Sequence, residues 1–255
     1  MKSLLFIIDM QNDFCQPTGS LYVPGAENDV ERLCRFIGSN ADSIDRIVLT
    51  QDNHHYLDIS HPCFWTDHAG KHPAPFTVIM PEDVETDRWI PRMYPKRALQ
   101  YLHALRDNDE YAHTVWPEHC IWGSEGAAIV AALMNVIADW AKQGKYHTVI
   151  SKGTNPLTEH FGAFRANVPL PDCPETALNL PLINELKSFD RIWIAGEAKS
   201  HCVANTIRQL FDYPEIIKKL AILEDCMSHV PGFETLAAPI FEQAYNMGAN
   251  ATAIS

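Results

Sequence analysis

Short apolar runs recur along the chain, each closing on a polar or charged residue: Leu4–Asp9, Arg46–Asp52, Thr148–Lys152, Arg191–Glu197, Leu220–Asp225 and the terminal Ala251–Ile254. Continuous rather than alternating apolar residues are what a strand buried on both faces requires. Between the runs, apolar residues return at helical spacing over about Glu27–Ile37, Ser124–Lys142, His201–Phe211 and Phe233–Met247. Strand alternating with helix implies right-handed crossovers and parallel pairing. The pattern predicts an α/β fold, a three-layer sandwich with a mostly parallel, doubly wound sheet of about six strands.

The rhythm breaks between His61 and Val115, where Pro62, Pro73, Pro75, Pro81, Pro91 and Pro95 punctuate the chain and only one short helix, about Lys96–Leu105, is expected. A stretch this long is not a plain loop. It reads as an ordered insertion, at about 62–115, in a single domain covering 1–255. With 255 residues and roughly 150 residues per domain, one large domain or two small ones are possible.

Charge narrows the partners. Twenty Lys and Arg against 32 Asp and Glu give a net charge of −12, a field that repels nucleic acid and anionic membrane surfaces. No apolar run approaches the roughly 20 residues that span a bilayer. The apolar start of the chain stops at Asp9 and is followed by Gln11-Asn12-Asp13, so it is expected to be a first strand rather than a secretory leader. The seven cysteines are scattered and odd in number. They suit reduced thiols in a cytoplasmic protein.

In open α/β sheets the working site lies beyond the carboxyl ends of the strands. Asp9, Asp52, Lys152 and Glu197 close the expected strands, with Asp225 further along, so acids and a lysine converge on one rim. Just past Glu197, the run Ala198-Lys199-Ser200-His201-Cys202 puts Cys202 near the start of a helix. The helix dipole and a nearby Lys152 would lower the thiol pKa, and Asp9 could shuttle its proton. The plainer alternative for Cys202 is a packed small hydrophobe. The same packing role is expected for Cys34, Cys120 and Cys226, while Cys15, Cys63 and Cys173 fall beside prolines in loops. Asp52 and His54, two apart on an extended chain, project the same way and could share an ion with His119 as a distant third ligand. Carboxylate and imidazole suit zinc, iron or manganese alike. His55, His68, His72, His103 and His113 are expected at the surface.

Five segments together carry a resemblance: Ile7-Ile8-Asp9-Met10-Gln11-Asn12-Asp13-Phe14, Asp52-Asn53-His54, Trp116-Pro117-Glu118-His119-Cys120, Ser151-Lys152-Gly153 and Gly196-Glu197-Ala198-Lys199-Ser200-His201-Cys202-Val203. Each is weak alone, but in this order the chain resembles the isochorismatase-like cysteine hydrolases and, within them, the nicotinamidases. The resemblance implies a catalytic triad of Asp9, Lys152 and Cys202, and a cis peptide between Glu197 and Ala198. It implies an oxyanion hole from the N–H groups of Ala198 and Cys202. It implies one divalent metal ion, zinc by preference with iron or manganese as alternatives, on Asp52, His54 and His119, with His61 the nearest candidate for a further ligand. Phe14 and Trp116 would sandwich a pyridine ring. The implied activity is hydrolysis of nicotinamide to nicotinate and ammonia through a Cys202 thioester, in NAD salvage, by a homo-oligomer. Two alternatives stand beside it: a hydrolase of another small amide or ureido compound, and a catalytically silent metal-binding interaction module. The sequence departs from the family after Lys152, where Glu159, His160 or Phe161 would replace an aromatic wall, and in the insertion.

Overall fold

The computed structural model describes residues 1–253. Among the described residues eight strands form: β1 (Ser3–Ile8), β2 (Arg46–Asp52), β3 (Trp65–Thr66), β4 (Ile90–Pro91), β5 (Tyr146–Lys152), β6 (Arg191–Gly196), β7 (Leu220–Leu223) and β8 (Asn250–Thr252). Six of them make one sheet in the order β5-β2-β1-β6-β7-β8, every pair parallel. This is the expected α/β sandwich. The chain adds strands outward on one side of β1 and then on the other, so the order reverses between β1 and β6. That reversal opens a crevice at their carboxyl ends. Register fixes which residues meet there: Asp52 pairs across from Lys152, and Ile8 from Gly196.

All six residues of β1 are buried because alternate side chains enter different cores. Leu5 and Ile7 join helices α2 (Ala26–Ser39) and α5 (Ala131–Ala141) through Leu33, Ile37, Leu133, Ile137 and Trp140. Leu4, Phe6 and Ile8 join Leu186, Ile207 and Ala244 on the other face. Those residues belong to α6 (Leu180–Lys187), α7 (Ala204–Arg208) and α9 (Glu234–Asn246). Each such aliphatic side chain contributes about 1.5–3 kcal/mol on burial, which is why a run apolar at every position becomes a central strand.

Between β2 and β5, where the short α3 (Pro81–Glu85) also lies, a third, smaller core gathers Ile59, Phe64, Trp65, Tyr101, Leu102 and Val115 around α4 (Pro95–Asp107), where Lys96–Leu105 is expected. His113 is buried here, not at the surface. Its ring packs against Trp65 and Tyr101, and its Nε2 lies 2.9 Å from the Ile59 carbonyl.

Several boundaries differ from the sequence reading. The stretch 124–130 is not helical, and α5 begins only at Ala131. Its backbone instead docks on the segment after β1, with Asn12 N–H donating to Ala128 O, Asp13 N–H to Gly126 O, and Val130 N–H to Met10 O. Gly126 permits this approach, since a Cβ there would lie 2.1 Å from the Asp13 carboxylate. The segment from Lys199 to Val203 is a π-helical turn before α7, which stops at Arg208. β7 ends at Leu223, so Asp225 lies in a 3₁₀ turn rather than at a strand end. Cys15 closes a four-residue helix, α1 (Asn12–Cys15), packed on Met10, rather than lying in a loop. Helix α6, and a short turn α8 at Pro214–Ile217, carry too few apolar repeats to be read. β8 spans Asn250–Thr252, while Ile254 of the expected last strand lies outside the described residues. Among the described residues no helix is long and apolar enough to cross a membrane.

Candidate active site

Asp9 follows β1 directly and turns with φ 47°, a left-handed backbone that non-glycine residues seldom take. Thr50 on the neighbouring strand holds it twice. Its hydroxyl accepts from Asp9 N–H at 3.1 Å and donates to Asp9 Oδ1 at 2.7 Å. The other carboxylate oxygen lies 2.8 Å from Lys152 Nζ, which also sits 3.2 Å from Asp52 Oδ1 and 3.8 Å from Cys202 Sγ. The His160 carbonyl accepts from the same ammonium at 2.9 Å. Gly153, with φ 71°, follows Lys152 because a Cβ there would meet Asp52 Oδ1 at 2.3 Å. The three residues read as a triad are thus side by side and buried, and the peptide between Glu197 and Ala198 is cis.

The electrostatics correct one expectation. Burial would lower the Lys152 pKa, but Asp52 and Asp9 outweigh it and hold the ammonium charged. Burial raises the Cys202 thiol well above its usual range; Lys152 opposes this, while Asp9 and Asp52 reinforce it. The thiol is therefore stabilised neutral, not as thiolate. One cation shared between two carboxylates has little field left for a third anion. Burial also raises Asp9, despite Lys152.

Beside the triad, Asp52, His54 and His119 bring one ligand atom each to within 4.8 Å of one another, all buried. His54 Nε2 lies 3.0 Å and His119 Nε2 3.9 Å from Asp52 Oδ2. On the far side of His54, Nδ1 faces Asp58 Oδ2 at 3.2 Å, and Asp58 Oδ1 accepts from Ser60 N–H and Oγ–H at 3.0 and 2.8 Å. Burial disfavours the imidazolium, but Asp52 and Asp58 flank it and raise His54 well above its normal pKa. A divalent cation suits the same place. The donor set is one carboxylate and two imidazoles, and Asp58 behind His54 completes the carboxylate–histidine arrangement typical of metal sites. His61 backs onto His119: its Nε2 is 3.5 Å from the His119 backbone N–H, and its Nδ1 3.0 Å from the His55 carbonyl.

Asp58 was not legible from spacing. Nor were the roles of Gln11 and Asp13, although both stand in the first motif. The Gln11 amide both donates to Asp52 O and accepts from Asp52 N–H at 2.7 Å. Asp13 Oδ2 accepts from Cys120 N–H at 2.7 Å, fixing the residue after His119. Their signal is position, immediately beyond a buried strand end.

A cavity lies over these groups, lined by Phe14, Trp116, His119, Glu159, Phe161 and His201 together with Ala198 and Cys202. Trp116 is braced edge-on by His201 at 5.1 Å between ring centroids. Burial keeps His201 neutral, with a pKa near 3, and raises Glu159 to about 7. Of the three residues expected to replace an aromatic wall, Glu159 and Phe161 line the cavity, while His160 contributes its carbonyl to Lys152.

No family model matches the chain. A nicotinamidase of Saccharomyces cerevisiae is 26% identical over 248 residues, covering 90% of this chain and 97% of that protein. A nicotinamidase of Escherichia coli is 26% identical over 203 residues, 80% of this chain and 73% of the relative. Among solved structures, the yeast nicotinamidase bound to the inhibitor nicotinaldehyde superposes with a TM-score of 0.67 at 21% identity, over 98% of this chain and 99% of that one. The pyrazinamidase of Pyrococcus horikoshii in complex with zinc gives 0.60 at 19% identity, over 99% of both chains. The structures share the fold. Sequence and architecture together make this chain similar to the nicotinamidases along nearly its whole length.

Proposed function

We propose that the chain is a cysteine amidohydrolase that converts nicotinamide to nicotinate and ammonia. The observation that carries this reading is Cys202 in contact with Lys152, itself bonded to Asp9, under a cavity walled by Phe14 and Trp116. A flat aromatic amide fits between two aromatic side chains. Similarity to curated nicotinamidases supports the same substrate.

The neutral thiol sets the order of events. Asp9, which shares the Lys152 ammonium with Cys202, accepts the thiol proton as sulfur attacks the amide carbon, so no free thiolate need accumulate. Lys152 offsets the charge carried by Asp9. The carbonyl oxygen becomes an oxyanion that the N–H groups of Ala198 and Cys202 receive. Asp9 returns the proton to the departing nitrogen, ammonia leaves and a thioester remains. Asp9 then takes a proton from water, which attacks the thioester carbon, releasing nicotinate and restoring the thiol.

Asp52, His54 and His119 would hold one divalent cation, zinc by preference, since the donor set suits it and the Pyrococcus relative is a zinc complex. Bound there, it would supply Lewis-acid attraction for a ring nitrogen or water. The product would return to NAD synthesis in the cytoplasm, where all seven cysteines stay free thiols.

The test is ammonia release from nicotinamide by the metal-analysed protein, with Cys202→Ala beside it. The expected loss is about 10⁴-fold or more. Undiminished turnover by Cys202→Ala would overturn the thioester route. No release from a protein whose Cys202 can be alkylated would move the substrate to another small amide.

A further inference from the structure

Glu197 is among the buried acids that the mechanism leaves unused. It follows the last residue of β6, directly before Ala198, and is fully buried. Its Oε2 accepts from Ser228 N–H at 3.2 Å, and its Oε1 has no donor facing it among the described residues. Ser228 brings this carboxyl together with Asp29 on α2, its N–H donating to Glu197 and its hydroxyl to Asp29 Oδ2 at 2.5 Å. Asp29 is itself buried and already well supplied, accepting from Arg32 Nη2 and from Ser228 Oγ, each at 2.5 Å. Both Asp29 oxygens therefore already have a donor. A second carboxylate against it, with one oxygen lacking any donor, is an uncompensated buried charge unless that oxygen carries a proton.

We infer that Glu197 is held neutral and donates its proton to Asp29, and that this contact ties the end of β6 to α2 and positions Ala198 beside Cys202. Glu197 acts through the backbone it adjoins and is a positioning residue. The kinetic part of the inference rests on the hydrolase reading above. Ser228 closes the cluster, since its carbonyl accepts from Lys199 N–H at 2.7 Å while its N–H and hydroxyl bind the two acids. Ala198 is thereby held between bonded neighbours on both sides.

The other titratable groups around the pair are Arg32 on α2, Asp225 and Cys226 after β7, and Cys15 on α1. Arg32 also donates to the Asp225 carbonyl. Both thiols are kept neutral, chiefly by burial. Lys199, the next cation along, is taken up by Glu224 at 2.9 Å. Burial first, then Asp29, raise Glu197 well above the usual carboxyl range. An acid raised in the folded state contributes stability that is fully present below its unfolded pKa, about 4.3, and is lost as pH climbs toward the folded value.

The experiment compares wild type, Glu197→Gln and Glu197→Leu. Gln can donate to Asp29 at any pH, whereas Leu cannot donate at all. Glu197→Leu should lower kcat on nicotinamide about 100-fold, the scale of a small misplacement, with little change in KM, and Glu197→Gln should restore most of it. Thermal unfolding from pH 5 to pH 9 should show the wild-type Tm falling more steeply than that of Glu197→Gln. Wild-type kcat in Glu197→Leu would overturn the positioning role. Equal Tm slopes in wild type and Glu197→Gln would overturn the shared proton. The unfolding comparison needs neither turnover nor Glu197→Leu, so it decides the pairing even if nicotinamide is not hydrolysed.

Discussion

At the scale of single residues, Lys152 sets the electrostatics of the rim by how its charge is divided. It lies 2.8 Å from Asp9 and 3.2 Å from Asp52, but 3.8 Å from Cys202. The metal-free protein should therefore show a sluggish Cys202. Iodoacetamide labelling followed by mass spectrometry should be slow at pH 7 and accelerate only above the ordinary thiol range, because the raised pKa leaves little thiolate below it. Rapid labelling at pH 7 would contradict the balance of charges described here. Asp58 gives a second case. Asp58→Asn leaves the three ligands in place but weakens the support behind His54, and should cost about 10–100-fold in metal affinity by competition with a chelator. The placement of Asp9, Lys152 and Cys202 on one rim was legible in sequence because each closes or follows a strand of the parallel sheet. Asp58 and Glu197 were not, since their partners come from packing rather than spacing. The direction of the Cys202 shift was misread for a related reason: a helix start is visible in sequence, whereas burial among two carboxylates is not.

The elements show where hydrophobic pattern speaks and where it misleads. The strands were readable because β1, β2 and β6 bury both faces, which forces uninterrupted apolar runs. Residues 124–130 carry apolar side chains for a different purpose, docking backbone to backbone on residues 10–13, and so imitated a longer helix. The true helix α5 is anchored by Trp140, buried in the core with its indole N–H donating to Ile44 O at 3.1 Å. Trp140→Ala removes that bond and leaves a large cavity. It should cost about 3–5 kcal/mol in urea unfolding, with KM for nicotinamide unchanged, since Trp140 is not among the residues that line the cavity. A shift in KM equal to that of a Phe14 variant would show that α5 communicates with the site.

Taken as a whole, the molecule builds its site from distant stretches of chain. Asp52 ends β2 and His54 lies two residues beyond it, whereas Trp116 and His119 follow the proline-rich segment that packs around Tyr101, Leu102 and Val115. That segment is also clamped to α7 just past Cys202 through Glu110 and Arg208, and to the stretch after β5 through Glu110 and Asn167. Residues 62–115 should on this reading unfold with the sheet rather than before it, as one cooperative unit. A metal held between β2 and the end of that segment binds only the folded arrangement and so stabilises all of it. Saturation at 100 times the dissociation constant is worth about 2.7 kcal/mol. Differential scanning calorimetry should accordingly show a single transition that moves down as one peak when a chelator strips the metal, and returns when zinc is restored. A chelator that instead splits the peak in two would mean that the segment is a separate unit, fastened to the sheet by the metal rather than by the third core.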